Sequence, residues 1–185
     1  DQAGLSDQRR AVERYARAAA DIGQMREQGL PVLPHQRDAL EKAGKALDAI
    51  RPYGAADLAS ALQRQPSLAR EAADGRSQGA IRAMQLEAEI RADPSKRADR
   101  FVSDWQRLGQ ARLTMQREGD AKGAAQASSR MAGMAKGLER DPQVESLLRN
   151  RTRELGIGKD ISRELSRDLA ASVSFERTRS IGMSL

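Results

Sequence analysis

Residues 93–120 read DPSKRADRFVSDWQRLGQARLTMQREGD, and this stretch decides the fold. Pro94 disfavours helical backbone at Asp93, so a break falls there. Beyond it Phe101, Trp105, Leu108 and Met115, with Val102 alongside, recur at three- and four-residue spacings. That period places them on one side of a helix from about Ser95 to Arg117. Gly119-Asp120 then makes a tight connection to a second helical pattern, about 121–139, carried by Ala121, Ala125, Ser128, Met131, Ala135 and Leu138. Two long helices on so short a connection are antiparallel neighbours.

The pattern continues in both directions. Asp141-Pro142 reads as an N-cap with proline in the first turn. Val144, Leu147, Leu148 and Leu155 line the helix it opens, and Gly156 ends it. Asp160 caps a final helix bearing Ile161, Leu165, Leu169 and Val173, and residues 174–185 follow as a tail. Towards the N-terminus, one long helix is expected from Pro66 to about Ala92, with Leu68, Ala72, Gly75, Gly79, Leu86 and Ile90 facing inward. A short helix covers about 55–64, another about 35–51, and the first runs from a Ser6 cap to about Gln28. Breaks at Gly29 to Pro34 and at Arg51 to Gly54 separate them. The expectation is an all-α fold: an antiparallel four-helix bundle over 1–173, with short extra helices forming a cap or hook, and a short basic tail over 174–185.

Composition agrees. The 185 residues are 39% hydrophobic, 3% aromatic and 31% charged. Ala, Arg, Glu, Gln and Leu dominate, all good helix formers, and long β-branched runs are missing. With no cysteine, disulfides, thiolate zinc sites and cysteine nucleophiles are excluded. His35 is the one histidine and reads as a surface or capping residue. There is no GxxxxGK loop, no HExxH and no metal-ligand cluster, so neither catalytic residue, metal nor cofactor is expected. No apolar run approaches the roughly 20 residues of a membrane span. No signal peptide is read at the N-terminus, and a start at Asp-Gln-Ala-Gly suggests a piece of a longer protein.

Charge is uneven. Residues 1–90 hold 13 Lys+Arg and 13 Asp+Glu, whereas residues 91–185 hold 19 and 13. The whole net charge of +6 therefore lies in the C-terminal half, either as a mixed solvated surface or as a means of drawing in an acidic partner. Arg149 and Arg153 are four apart, Arg163 and Arg167 repeat the spacing, and Arg177 and Arg179 stand in the tail. These six arginines are the expected partner-binding residues. Arg112 and Arg151 fall on apolar stripes. Either their stems pack while their heads stay wet, or each pairs with a carboxylate inside the bundle or binds a partner. Gly75-x-x-x-Gly79 and Gly133-x-x-x-Gly137 place small residues on single helical faces, expected to permit close packing inside the bundle.

Three strings carry a resemblance: Leu30-Pro-Val-Leu-Pro-His-Gln36, Ala80-Ile-Arg-Ala-Met-Gln-Leu-Glu87 and, most specifically, Leu138 to Ile157, LERDPQVESLLRNRTRELGI. Together they resemble the C-terminal region of TraA-type conjugative relaxases of alphaproteobacterial plasmids, over about residues 10–180. The resemblance implies that strand-nicking and helicase domains lie outside this chain. It also implies likeness to the BID domain of type IV secretion substrates, a helix bundle with a hook-like cap and a basic tail. The expected role is a non-catalytic translocation signal, docked by the coupling protein, an ATPase at the channel entrance. The parent protein would carry its DNA from the bacterial cytoplasm to a recipient cell. The tail departs from that pattern, since Arg177 and Arg179 stand against Glu176. An accessory single-stranded-DNA-binding bundle and an oligomerisation scaffold are the alternative readings.

Overall fold

The structure, a computed structural model, describes residues 1–157 and 165–182, with side chains described as far as residue 174. The described residues are all-α, with nine helices and one 3₁₀ turn. They divide into two compact units, Asp1–Ala92 and Asp93–Leu185. A single bundle over 1–173 was the expectation. The boundary falls instead at the Asp93-Pro94 break, and each side has its own core.

The first unit comprises α1 (Gln2–Glu27), α2 (Pro34–Ile50), α3 (Gly54–Arg64), α4 (Ser67–Ala73) and α5 (Gln78–Ala92). Helix α1 packs on α2 and α4, and α3 on α5. Val12, Leu47, Leu58, Ala72 and Met84 fill the centre. Asp1 rather than Ser6 caps α1, its carboxylate accepting the Ala3 N–H at 3.2 Å. The single helix expected from Pro66 to Ala92 is two. Gly75 takes φ +89, a left-handed value that glycine adopts without strain. Its turn is closed by the Arg76 N–H donating to the Glu71 carbonyl at 2.8 Å. Gly75 and Gly79 therefore do not share a helix. Gly79 is still a packing glycine, because a Cβ there would sit 3.1 Å from Leu68 Cδ2. The break also re-phases α5: Ala80, Met84 and Glu87 face inward, while Leu86 is exposed.

The second unit comprises α6 (Pro94–Arg117), α7 (Ala121–Gly137), the 3₁₀ turn Leu138–Arg140, α8 (Pro142–Leu148) and α9 (Leu165–Gly182). Helix α7 packs against α6 and α9, and α8 against α6. Three aspartates cap three of these helices. Asp93 accepts from Ser95 N at 2.9 Å, Asp120 from Gly123 N at 2.8 Å, and Asp141 from Val144 N at 3.3 Å. Asp141 also receives Arg97, whose Nε lies 2.9 Å from Oδ2. Helix α8 stops at Leu148, short of the expected Leu155, and turns carry the chain to Gly156, which has φ +74. Leu155 still reaches the core, but Leu147 is exposed. Residues 174–182, expected as tail, continue α9. The expected Asp160 cap and Ile161 lie outside the described residues.

Trp105 sits where its spacing predicts, 4% exposed among Val102, Met131, Leu155 and Leu165. Phe101 stacks on it with ring centroids 5.9 Å apart and planes 12° from parallel. The indole Nε1 donates to the Leu155 carbonyl at 3.0 Å, so the ring fills the core and satisfies its one polar atom. Trp105→Ala should lower the stability of the second unit by about 3–5 kcal/mol. Trp105→Phe should cost less, about 1–2 kcal/mol, because chiefly the hydrogen bond is lost. Hydrogen exchange of α6–α8 amides should register both losses and leave those of α1–α5 in place. Equal loss of protection in both units would show that the cores are not separate.

Candidate functional site

The boundary leaves most of the charge asymmetry in place. Asp1–Ala92 carries 14 Lys+Arg against 13 Asp+Glu, and Asp93–Leu185 carries 18 against 13. The first unit's charges act largely as internal ties. Asp57, 3% exposed, accepts from Arg91 Nε and Nη2 at 3.0 and 3.2 Å. The same guanidinium lies 4.4 Å over the Tyr53 ring. Ser77, 2% exposed, donates to Glu13 at 3.0 Å. Arg70 bridges both oxygens of Glu27 at 2.8 Å across the rim of a groove between α1 and α4. His35 stands exposed in the first turn of α2.

Of the six expected arginines, the described side chains are those of Arg149, Arg153 and Arg167, which do not share one helix. Arg149 is the C-cap of α8 and pairs with Glu145. Arg153 is exposed in the turn beyond, so the helical spacing that would align it with Arg149 does not apply. Arg167 is exposed in the first turn of α9. Arg163, and the side chains of Arg177 and Arg179, lie outside the described residues.

The two arginines on apolar stripes part ways. Arg151 pairs rather than snorkels: Nη1 lies 2.6 Å from Asp99 Oδ1 and Nε 2.7 Å from Glu154 Oε2. Those bonds raise its pKa, that to Glu154 most, and the reciprocal bond lowers the Glu154 pKa. With Gln106 Nε2 donating to the Glu154 carbonyl at 3.0 Å, Arg151 fastens the turn after α8 onto α6. Arg112 is 5% exposed, so its head is not in water, and desolvation lowers its pKa from the ordinary arginine value.

A different basic surface emerges on α7. Its inward face is Ala124, Ala127, Ser128, Met131 and Ala135. Its outward face carries Lys122, Gln126, Ser129, Arg130, Gly133, Lys136 and Gly137, continued by Arg140 in the 3₁₀ turn. From Ala121 to Leu138 there is no Asp or Glu. Lys122, Arg130, Lys136 and Arg140 make no ion pair among the described residues. The expected packing role of Gly133 and Gly137 does not hold, since a Cβ at either would meet nothing within 4 Å. The signal was present in the sequence as a cationic, acid-free helix. Arginine spacing does not reveal it, because its cations are two lysines and two arginines spread over Lys122 to Arg140.

No metal-holding group of His, Cys, Asp and Glu occurs among the described residues, nor is any helix there long and apolar enough to cross a membrane. No family model, curated protein or solved structure matches the chain.

Two α7 glycines should respond oppositely to alanine. Gly133→Ala should stabilise by about 0.5–1 kcal/mol, because alanine is the better helix residue and the space is open. At Gly123 a Cβ would lie 2.9 Å from Met115 Sδ and press on the Asp120 carboxylate that caps the helix. Loss of that cap, about 1 kcal/mol, should cancel or outweigh the same gain. Thermal melts followed by circular dichroism should rank Gly133→Ala above the parent chain and Gly123→Ala at or below it.

Proposed function

We propose that the chain is a non-catalytic docking module, serving as the translocation signal of a conjugative relaxase and read by the coupling ATPase of a type IV secretion system. The observation that supports this reading most is the placement of charge. The second unit carries most of the surplus of basic residues, and three of them, Lys122, Arg130 and Lys136, stand on a packed helix that contains no acidic residue. A folded body with an unneutralised basic face suits recognition of an acidic protein surface, where complementary charge speeds encounter and selects partners. The local strings at 30–36, 80–87 and 138–157 supply the link to relaxases. Under this reading the parent protein is made in the bacterial cytoplasm and leaves through the secretion channel. The six arginines contribute unequally: Arg149 is partly neutralised by Glu145, while Arg153 is exposed in the turn beyond α8.

The alternative, a domain that holds single-stranded DNA, draws support from the same cations. Among the described residues of the second unit no aromatic offers the exposed platform such binders use, since Trp105 is buried and Phe101 is stacked on it.

The test is capture of purified coupling ATPase by this chain, before and after nuclease digestion. Docking predicts capture that survives nuclease and weakens as salt rises. Replacing Arg149, Arg153, Arg163, Arg167, Arg177 and Arg179 with glutamine should reduce secretion of a fused reporter while preserving helicity. Each exposed pair is worth under about 1 kcal/mol, so single changes should have little effect. Capture that disappears with the nucleic acid would overturn docking in favour of DNA binding.

A further inference from the structure

The outward face of α7 is chemically unlike the other charged surface described in the second unit. Several other cations of the unit are matched, Arg97 by Asp141, Arg107 by Asp104, Arg149 by Glu145, and Arg151 by Asp99 and Glu154, whereas Arg117 and Arg153 stand exposed as scattered single charges. Lys122, Arg130 and Lys136 on α7, and Arg140 in the turn beyond, make no ion pair among the described residues; no carboxylate lies within the helix, which Asp120 and Glu139 flank. Lys122 and Lys136 are 14 residues apart, about 21 Å along the axis at helical rise. Between them Ser129 and Gly133 form a low strip, with Gly137 beyond, all exposed. Glycine inside a helix is unfavourable relative to alanine, and neither Gly133 nor Gly137 is explained by packing within the chain.

We infer that this face receives an acidic helix of a partner protein, laid along α7 over Gly133 and Gly137, with its carboxylates meeting Lys122, Arg130, Lys136 and Arg140. Charge complementarity identifies the partner as acidic. The strip identifies it as a helix: residues without bulk allow two helix axes to approach to about 8 Å. A phosphate backbone needs the cations but gains little from bare glycines, and bases would find no exposed aromatic among the described residues of this unit. The inference rests on the docking reading and gives that reading an address on the fold.

The probe is a synthetic, fluorescein-labelled, alanine-rich helical peptide with glutamate at every fourth residue, so that its carboxylates line one face. It is titrated at low salt into the full 185-residue chain. Lys122→Gln, Arg130→Gln, Lys136→Gln and Arg140→Gln together should weaken binding about tenfold or more, as loss of several complementary charges requires. Gly133→Leu with Gly137→Leu should weaken it several-fold without loss of helicity, because those positions face open space. Arg14→Gln, Arg17→Gln and Lys42→Gln together, which remove exposed cations of the first unit, should leave it within about twofold.

Failure of the parent chain to bind the peptide, or undiminished binding by the leucine variant, would overturn the inference. So would an oligothymidylate that binds more tightly than the peptide through the same four cations and ignores the leucines. That result would mark a nucleic-acid surface. Coupling-ATPase capture that survives the fourfold glutamine change would overturn the α7 assignment and leave the docking reading standing. Peptide binding that behaves as expected, with no capture of the ATPase, would uphold the acidic-helix face and overturn the docking reading.

Discussion

The hydrogen bond from the Trp105 indole to the Leu155 carbonyl organises the second unit. Leu155 lies in a run of turns, beyond the last residue of α8. Such a segment has no helical ladder to satisfy its carbonyls, and a buried carbonyl left without a donor is costly. The indole supplies the donor while filling the space beneath the turn. Arg151, paired with Asp99 and Glu154, and Gln106, bonded to the Glu154 carbonyl, hold the same turn to α6 from outside. Arg97 does likewise for the start of α8 through Asp141, which serves as helix cap and ion-pair partner together. Helix α6 thus anchors both the start of α8 and the turn after it.

The first unit solves the same problem with smaller parts. Its core is rich in alanine, and buried polar pairs tie its helices where apolar bulk is limited. Asp57 on α3 and Arg91 on α5 join two helices through a two-point bond. Ser77, in the link before α5, reaches Glu13 on α1. Such pairs contribute directional specificity more than net stability, because each desolvated group offsets much of its own attraction.

Helix period and the Pro and Gly breaks made most of the fold legible. Phe101, Val102, Trp105 and Leu108 occupy the positions their spacing implies, and Asp141-Pro142 opens a helix as read. Errors arose where one residue ends a helix without disturbing the apolar pattern. Gly75 splits α4 from α5, yet Leu68, Ala72, Gly79 and Ile90 keep a plausible phase across it. Leu155 extends the α8 stripe in sequence while reaching the core from a turn. The division into two units was hidden because a bundle pattern does not say which helices share a core. For the candidate surface, spacing pointed to arginines that local carboxylates neutralise or that lie off the helix. The more telling sign was the absence of acid from α7, a property of a segment rather than of any pair.

The aromatic residues are distributed unevenly between the cores. The single tryptophan belongs to the second unit, whereas Tyr15 and Tyr53 both belong to the first. Intrinsic fluorescence is therefore already sorted by unit. Selective excitation of the indole follows one core, and tyrosine emission comes from the other unit, where Tyr15 is buried in the core and Tyr53 is exposed. The indole senses the Leu155 carbonyl and the Phe101 ring directly, so its emission maximum reports the seating of the turn after α8. The chain carries two optical channels of its own, without any added label.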